Sequence, residues 1–219
     1  MTCAAIFILL PLLASVLTQQ PARVAKADPA TTTYADSALH FSYTYPSTLV
    51  APPDTANATT SAETNQNTGV SKTAEDCGSV PVAVRDATVG LRLLFIFRVD
   101  FGCAGKVPKV DQLGDYANSK LDAVLAGWGR PSERLIGKPY MLGEHSAAAA
   151  TRSAFVDKSR VTFFAVSACI LADQTVVCWA FVSVNDCAAL APMMAYPIQF
   201  EGKEPTAVIP EKTISPCKA

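Results

Sequence analysis

Two histidines in 219 residues are the first shortage, and charged residues make up only 17% of the chain. His40 and His145 come with no His-x-x-x-His pair, no Cys-x-x-Cys and no carboxylate–histidine cluster. The spacings that hold zinc are therefore missing, and no metal is expected. No Gly-x-Ser-x-Gly is present, so there is no nucleophile elbow. Gly102-Cys103-Ala104-Gly105 lacks the Lys-Ser/Thr ending of a phosphate loop and reads as a turn beside a disulfide. No segment repeats at a fixed period. Neither catalytic residues nor a cofactor is expected.

The apolar run Ala4 to Leu17 falls short of the ~20 residues that span a bilayer. It contains Pro11 and is followed by Ala25-Lys26-Ala27, which puts small residues at positions −3 and −1 of a cleavage site. Residues 1–27 are read as a signal peptide cut between Ala27 and Asp28, which exports the chain to the periplasm or beyond the cell. The n-region is Met1-Thr2 alone, and the alternative is an anchor that stays attached. After cleavage no membrane span is left. Removal takes away Arg23 and Lys26 and no acid, so 18 basic residues become 16 against 19 acidic ones, a net charge of about −3. That balance argues against nucleic acid or an anionic membrane held by bulk charge.

Cysteine is what the exported chain does have. Cys3 leaves with the signal, and Cys77, Cys103, Cys169, Cys178, Cys187 and Cys217 remain. An even count in an exported chain reads as disulfides, and it leaves no free thiol for Cys–His catalysis.

Composition divides the rest. Residues 28–36 look like a leader. Leu39, Phe41, Tyr43 and Tyr45 alternate with polar residues, which means a half-buried strand closed by Pro46, with His40 on its polar side. Residues 51–76 are polar, rich in turn formers, and read as a long flexible loop. Asn57-Ala58-Thr59 inside them is a chance glycosylation sequon. Gly90 to Phe101 is apolar on both faces at its centre and belongs in the middle of a covered sheet, with Ser79 to Ala87 as its hairpin partner. Arg92, Arg98 and Asp100 share one face of that strand. They read as a solvated or ion-paired strand end in preference to an anion site.

The clearest helix is 111–128. Leu113, Tyr116, Ala117, Leu121, Val124, Leu125 and Trp128 follow its apolar stripe, Asp111 is the expected N-cap, and Gly127 or Gly129 with Pro131 ends it. Residues 144–156 carry four consecutive alanines but end in β-branched and aromatic residues, and are read as a strand. Trp128 and Trp179 are expected as core or rim aromatics.

"RVTFFAVSACIL" and "TVVCWAFVSV" meet across Asp173-Gln174. A two-residue turn pairs Ala172 with Thr175, and counting back along both arms puts Cys169 opposite Cys178 in a non-hydrogen-bonded pair, within disulfide reach. A four-residue loop keeps the same register. If Ser79–Ala87 and Leu91–Phe101 form a hairpin, Cys77 and Cys103 meet at its open end, which leaves Cys187 with Cys217. This is one of 15 pairings open to six cysteines. The loop-entropy model gives each bond roughly 3 to 4 kcal/mol.

The order of elements resembles a family. "FSYTYP", a central strand pair, one long helix, "GKPYMLGEHSAAA" leading a three-strand meander, then "APMMAYP" and a closing "YPIQFEG" strand look like the PsbP-like fold over about residues 37–201. That family takes in the photosystem extrinsic subunit and DcrB-type periplasmic proteins. The expected fold is α+β, an α/β/α sandwich with a central antiparallel sheet, the 111–128 helix on one face and a short helix near 187–195, perturbed by Pro192, on the other. Residues 37–201 would form one domain and 202–219 a C-terminal tail. The resemblance implies a non-catalytic binding or assembly protein for an unknown protein or small-molecule partner. The alternative is a hydrolase whose dispersed site shows no motif.

Overall fold

The computed structural model describes residues 30–52, 77–86, 88, 91–215 and 217. The signal segment 1–27, its cleavage site at Ala27 and Asp28, the sequon at Asn57 and nearly all of the 51–76 loop lie outside the described residues. The fold is α+β, built from two antiparallel sheets and few helices. One sheet runs β3-β4-β10-β9-β8, from β3 (Gly78–Asp86), β4 (Arg92–Asp100), β8 (His145–Val156), β9 (Val161–Ala172) and β10 (Thr175–Val184). Three short pieces, β5 (Arg130–Pro131), β6 (Leu135–Ile136) and β7 (Tyr140–Leu142), pair in turn along the outer edge of β8. Pro131 and Pro139 interrupt that edge. Proline cannot donate to a ladder, so an edge is where it belongs.

The second sheet has the order β1-β2-β11-β12, from β1 (Thr31–Asp36), β2 (Phe41–Pro46), β11 (Pro197–Phe200) and β12 (Thr206–Ala207). Part of the expected leader is thus structured: Thr31 to Asp36 pair with Pro46 to Phe41, residue for residue. Three β-branched threonines suit a strand, and Tyr34 sets its ring 6.1 Å from that of Phe41. The opening and closing strands pair with each other, Ile198 opposite Tyr43 and Phe200 opposite Phe41.

Strand β10 is buried along nearly its whole length because both faces of the large sheet are covered. Val177, Trp179 and Phe181 point to one side, with Val166 and Ile170 of β9, Leu94 and Ile96 of β4, and Phe41, Tyr43 and Ile198 of the small sheet. Val176, Cys178 and Val182 point to the other, with Val99, Cys169 and the helix residues Leu113, Ala117, Leu121 and Leu125. The cover opposite the long helix is therefore mainly a sheet, and the short helix lies beside it.

The long helix is α2 (Leu113–Leu125). It starts later than its stripe suggested because Val110–Gln112 wind into a 3-10 turn. Asp111 lies inside that turn and does not cap it; the Gln112 side chain accepts instead from the Lys109 backbone N–H at 2.9 Å. Gly127, with φ of 79°, turns the chain away at the other end. Trp128 lies beyond the helix with its ring 4.6 Å from that of Phe163. A short α1 (Phe101–Ala104) follows β4. Near the C-terminus, Cys187–Ala189 form a 3-10 turn whose N–H groups at Ala188 and Ala189 are accepted by Asp186. It runs into α3 (Leu190–Met194). Pro192 causes no break, since its missing N–H falls in the first turn, where no intrahelical acceptor exists.

The chain after Phe200 folds back onto the domain. Thr206 and Ala207 add β12, and Val208 and Ile209 are completely buried in the core between the sheets.

Candidate interaction surface

Several tight turns meet at one end of the double sheet. His40, Gly143, Asp173 and Gly202 all have left-handed backbone there, with φ of 53°, 62°, 53° and 69°. His40, Asp173 and Gly202 help to line two open depressions of about 290 and 230 Å³, which share His40, Phe200 and Glu201. Folding brings both histidines to this end. His40 lies in the turn before β2, ahead of the strand on which the alternation placed it, and its Nδ1 is 3.1 Å from the Glu201 carboxylate. The His145 ring lies 5.1 Å from that of Phe200. Lys203 Nζ reaches Glu144 at 2.8 Å; its hydrogen bond and charge hold that carboxyl below the usual carboxylate range, while Glu144 raises the lysine. All four partners stand in water, where such pairs add little stability. Among the described residues no cluster of three or more His, Cys, Asp or Glu could hold a metal.

The three charged residues of β4 do not act together. Arg98 donates from Nε to Asp36 Oδ2 at 3.1 Å, and Asp36 Oδ1 accepts from the backbone N–H groups of Ala38 and Leu39. That pair joins β4 of the large sheet to β1 of the small one. Asp100 Oδ1 accepts from Gly102 N at 2.8 Å and caps α1. Arg92 pairs across the ladder with Asp86, which the Thr88 hydroxyl and backbone N–H hold below its usual range.

The six cysteines form three disulfides, Cys77–Cys103, Cys169–Cys178 and Cys187–Cys217. The middle one joins directly opposite residues of the β9–β10 hairpin, with Cα atoms 4.1 Å apart, and is completely buried. The other two each have an exposed sulfur residue, Cys103 and Cys217.

A half-open apolar row lies on the helix side of the large sheet. Helix α2 packs chiefly on β8 and β9, where Ala148, Ala150, Ala154 and Ala165 give it a low floor. Next to it, Leu93, Phe95 and Phe97 of β4 point to the same side and stay half-buried, with the two phenyl rings stacked at 6.0 Å. The Lys120 ammonium stands 5.6 Å from the Phe97 ring and 4.8 Å from that of Tyr116. Burial pushes the Tyr116 phenol up to about 12. The alternation of β4 revealed this apolar face in the sequence. That α2 would leave it partly open could not be read there, because the helix stripe does not say which strands it will cross.

No helix among the described residues is long and apolar enough to cross a membrane. No protein-family model matches the chain, and no curated protein matches it. Among solved structures, that of a cyanobacterial PsbP (CyanoP) from Synechocystis sp. PCC 6803 aligns with a TM-score of 0.47 at 11% identity, over 77% of this chain and 89% of that one. The likeness is a loose, PsbP-like one of fold.

Proposed function

We propose that this chain is an exported, disulfide-stapled, non-catalytic assembly protein that docks a protein partner on the helix side of its large sheet. The half-open row Leu93, Phe95 and Phe97 beside α2 carries this reading. Partner interfaces centre on aromatic residues that lose their last water on binding, and a rigid sheet presents these three at little cost in conformational entropy. The disulfides fit the same picture, since they suit an oxidising compartment outside the cytoplasm.

The test is cross-linking of the full chain in its own compartment, comparing wild type with a Phe95→Ser/Phe97→Ser variant. A defined cross-linked partner should be lost in the variant while near-ultraviolet circular dichroism and secreted yield are retained. A cross-linked pattern indifferent to both substitutions would remove this face from consideration. Turnover of an ester or peptide panel by the purified chain would replace the reading with the hydrolase alternative.

A further inference from the structure

We propose that the segment from Glu201 to Ser215 is a strap latched by Cys187–Cys217, and that this bond is an exchange site for a dithiol protein of the Cys-x-x-Cys class, whose action unlatches the strap, and β12 with it, without unfolding the large sheet. This concerns the small-sheet side of the molecule and is independent of the docking face on the other side. The strap is held by few backbone bonds. Its ladder, β12, is two residues long, and Pro205 and Pro210 remove donors on either side of it. Beyond that, Glu201 N–H donates to the His40 carbonyl at 2.9 Å, Gln199 Nε2 to the Lys203 carbonyl at 3.2 Å, Tyr140 Oη to the Val208 carbonyl at 2.8 Å and Ile209 N–H to the Met194 carbonyl at 3.2 Å. The Thr213 carbonyl and Ile214 lie close against Gly137. The side chains of Val208 and Ile209 nevertheless sit in the core with Met193, Met194 and Ile198. Weak backbone fixation over a buried apolar footprint is the arrangement that a covalent latch can control.

The three disulfides differ in access. Cys169–Cys178 is sealed between α2 and the sheet, whereas Cys217 is exposed and Cys187 half-buried. A partner thiolate reaches Cys217 Sγ first. It forms a mixed disulfide there as the Cys187–Cys217 bond breaks and the electron pair leaves on Cys187, which takes up a proton. The partner's second thiol then attacks its own sulfur in the mixed disulfide and releases Cys217, also protonated from the dithiol. Two electrons pass to this chain and the partner becomes the disulfide.

The experiment uses the full chain with dithiothreitol as the dithiol probe, followed by alkylation mapping and amide exchange. Cys187 and Cys217 should be alkylated while Cys169 and Cys178 remain joined. The Ile209 amide, which donates to Met194 outside the strap, should exchange about tenfold faster or more, with the Val177 amide in β10 unchanged. Tyr140 supplies a separate signal: burial holds its phenol well above the ordinary tyrosine range, so unlatching should add one tyrosine that titrates normally at 295 nm. The Cys187→Ser/Cys217→Ser variant should show the same exchange and titration with no reductant, which separates this bond from the also accessible Cys77–Cys103. A protected Ile209 amide in the variant, or a Val177 amide that speeds up equally, would overturn the proposal.

Discussion

Asp36 and Asp86 lie almost wholly out of water, and each is stabilised in a different way. Asp36 uses one oxygen on the turn at Ala38 and Leu39 and the other on Arg98, so it ties two sheets together. Asp36→Ala strands a half-buried guanidinium and two turn donors, and should cost about 2 kcal/mol in urea unfolding. Asp36→Asn keeps an acceptor for the turn and should cost less. Asp86 owes its lowered pKa first to the Thr88 hydroxyl, 2.6 Å away, and next to the Thr88 N–H. A carboxyl whose folded pKa is depressed adds stability above its unfolded value near pH 4, and that stability fades as pH falls through the folded value. Thr88→Val should therefore be less stable than wild type at pH 7. Urea midpoints taken at successively lower pH should show the gap closing below about pH 4.

At the scale of elements, the alanine run of β8 decides how the helix lies. Ala148 and Ala150 face α2, while Ala147 and Ala149 face the small sheet. Ala150→Leu puts a large side chain under the helix and should destabilise the domain by about 1–3 kcal/mol, seen as a lower urea midpoint. Strand β8, the β9–β10 hairpin and its cysteine register were legible in the residues because period two, β-branching and a tight turn are local signals. The second sheet was not legible. Thr31–Asp36 are polar enough to pass for a leader, and β2 finds its neighbour β11 more than 150 residues away, a pairing that no local pattern announces. Val208 and Ile209 were visible as apolar residues between prolines, but how deeply they are buried depends on where Met194 and Tyr140 end up. The turn-end depressions escaped detection for the same reason. His40 and His145 are over a hundred residues apart, and only the return of Phe200 to Phe41 brings them to one surface.

The described fold is thus closed by two strands far apart in the chain. Pro197–Phe200 complete the small sheet on Phe41–Tyr43, and that sheet covers Trp179 at the centre of the large one. A chain made from its N-terminus therefore carries "FSYTYP" without its β11 neighbour until almost all of the sequence has emerged. Three aromatic residues in six make an adhesive edge for that interval, the kind of strand that pairs with the wrong chain. Closure across so long a separation is also slow, in the range of milliseconds to seconds for sheet-rich domains. Slower delivery of the C-terminal strand should then raise the fraction of protein lost to aggregation, read as insoluble against soluble yield.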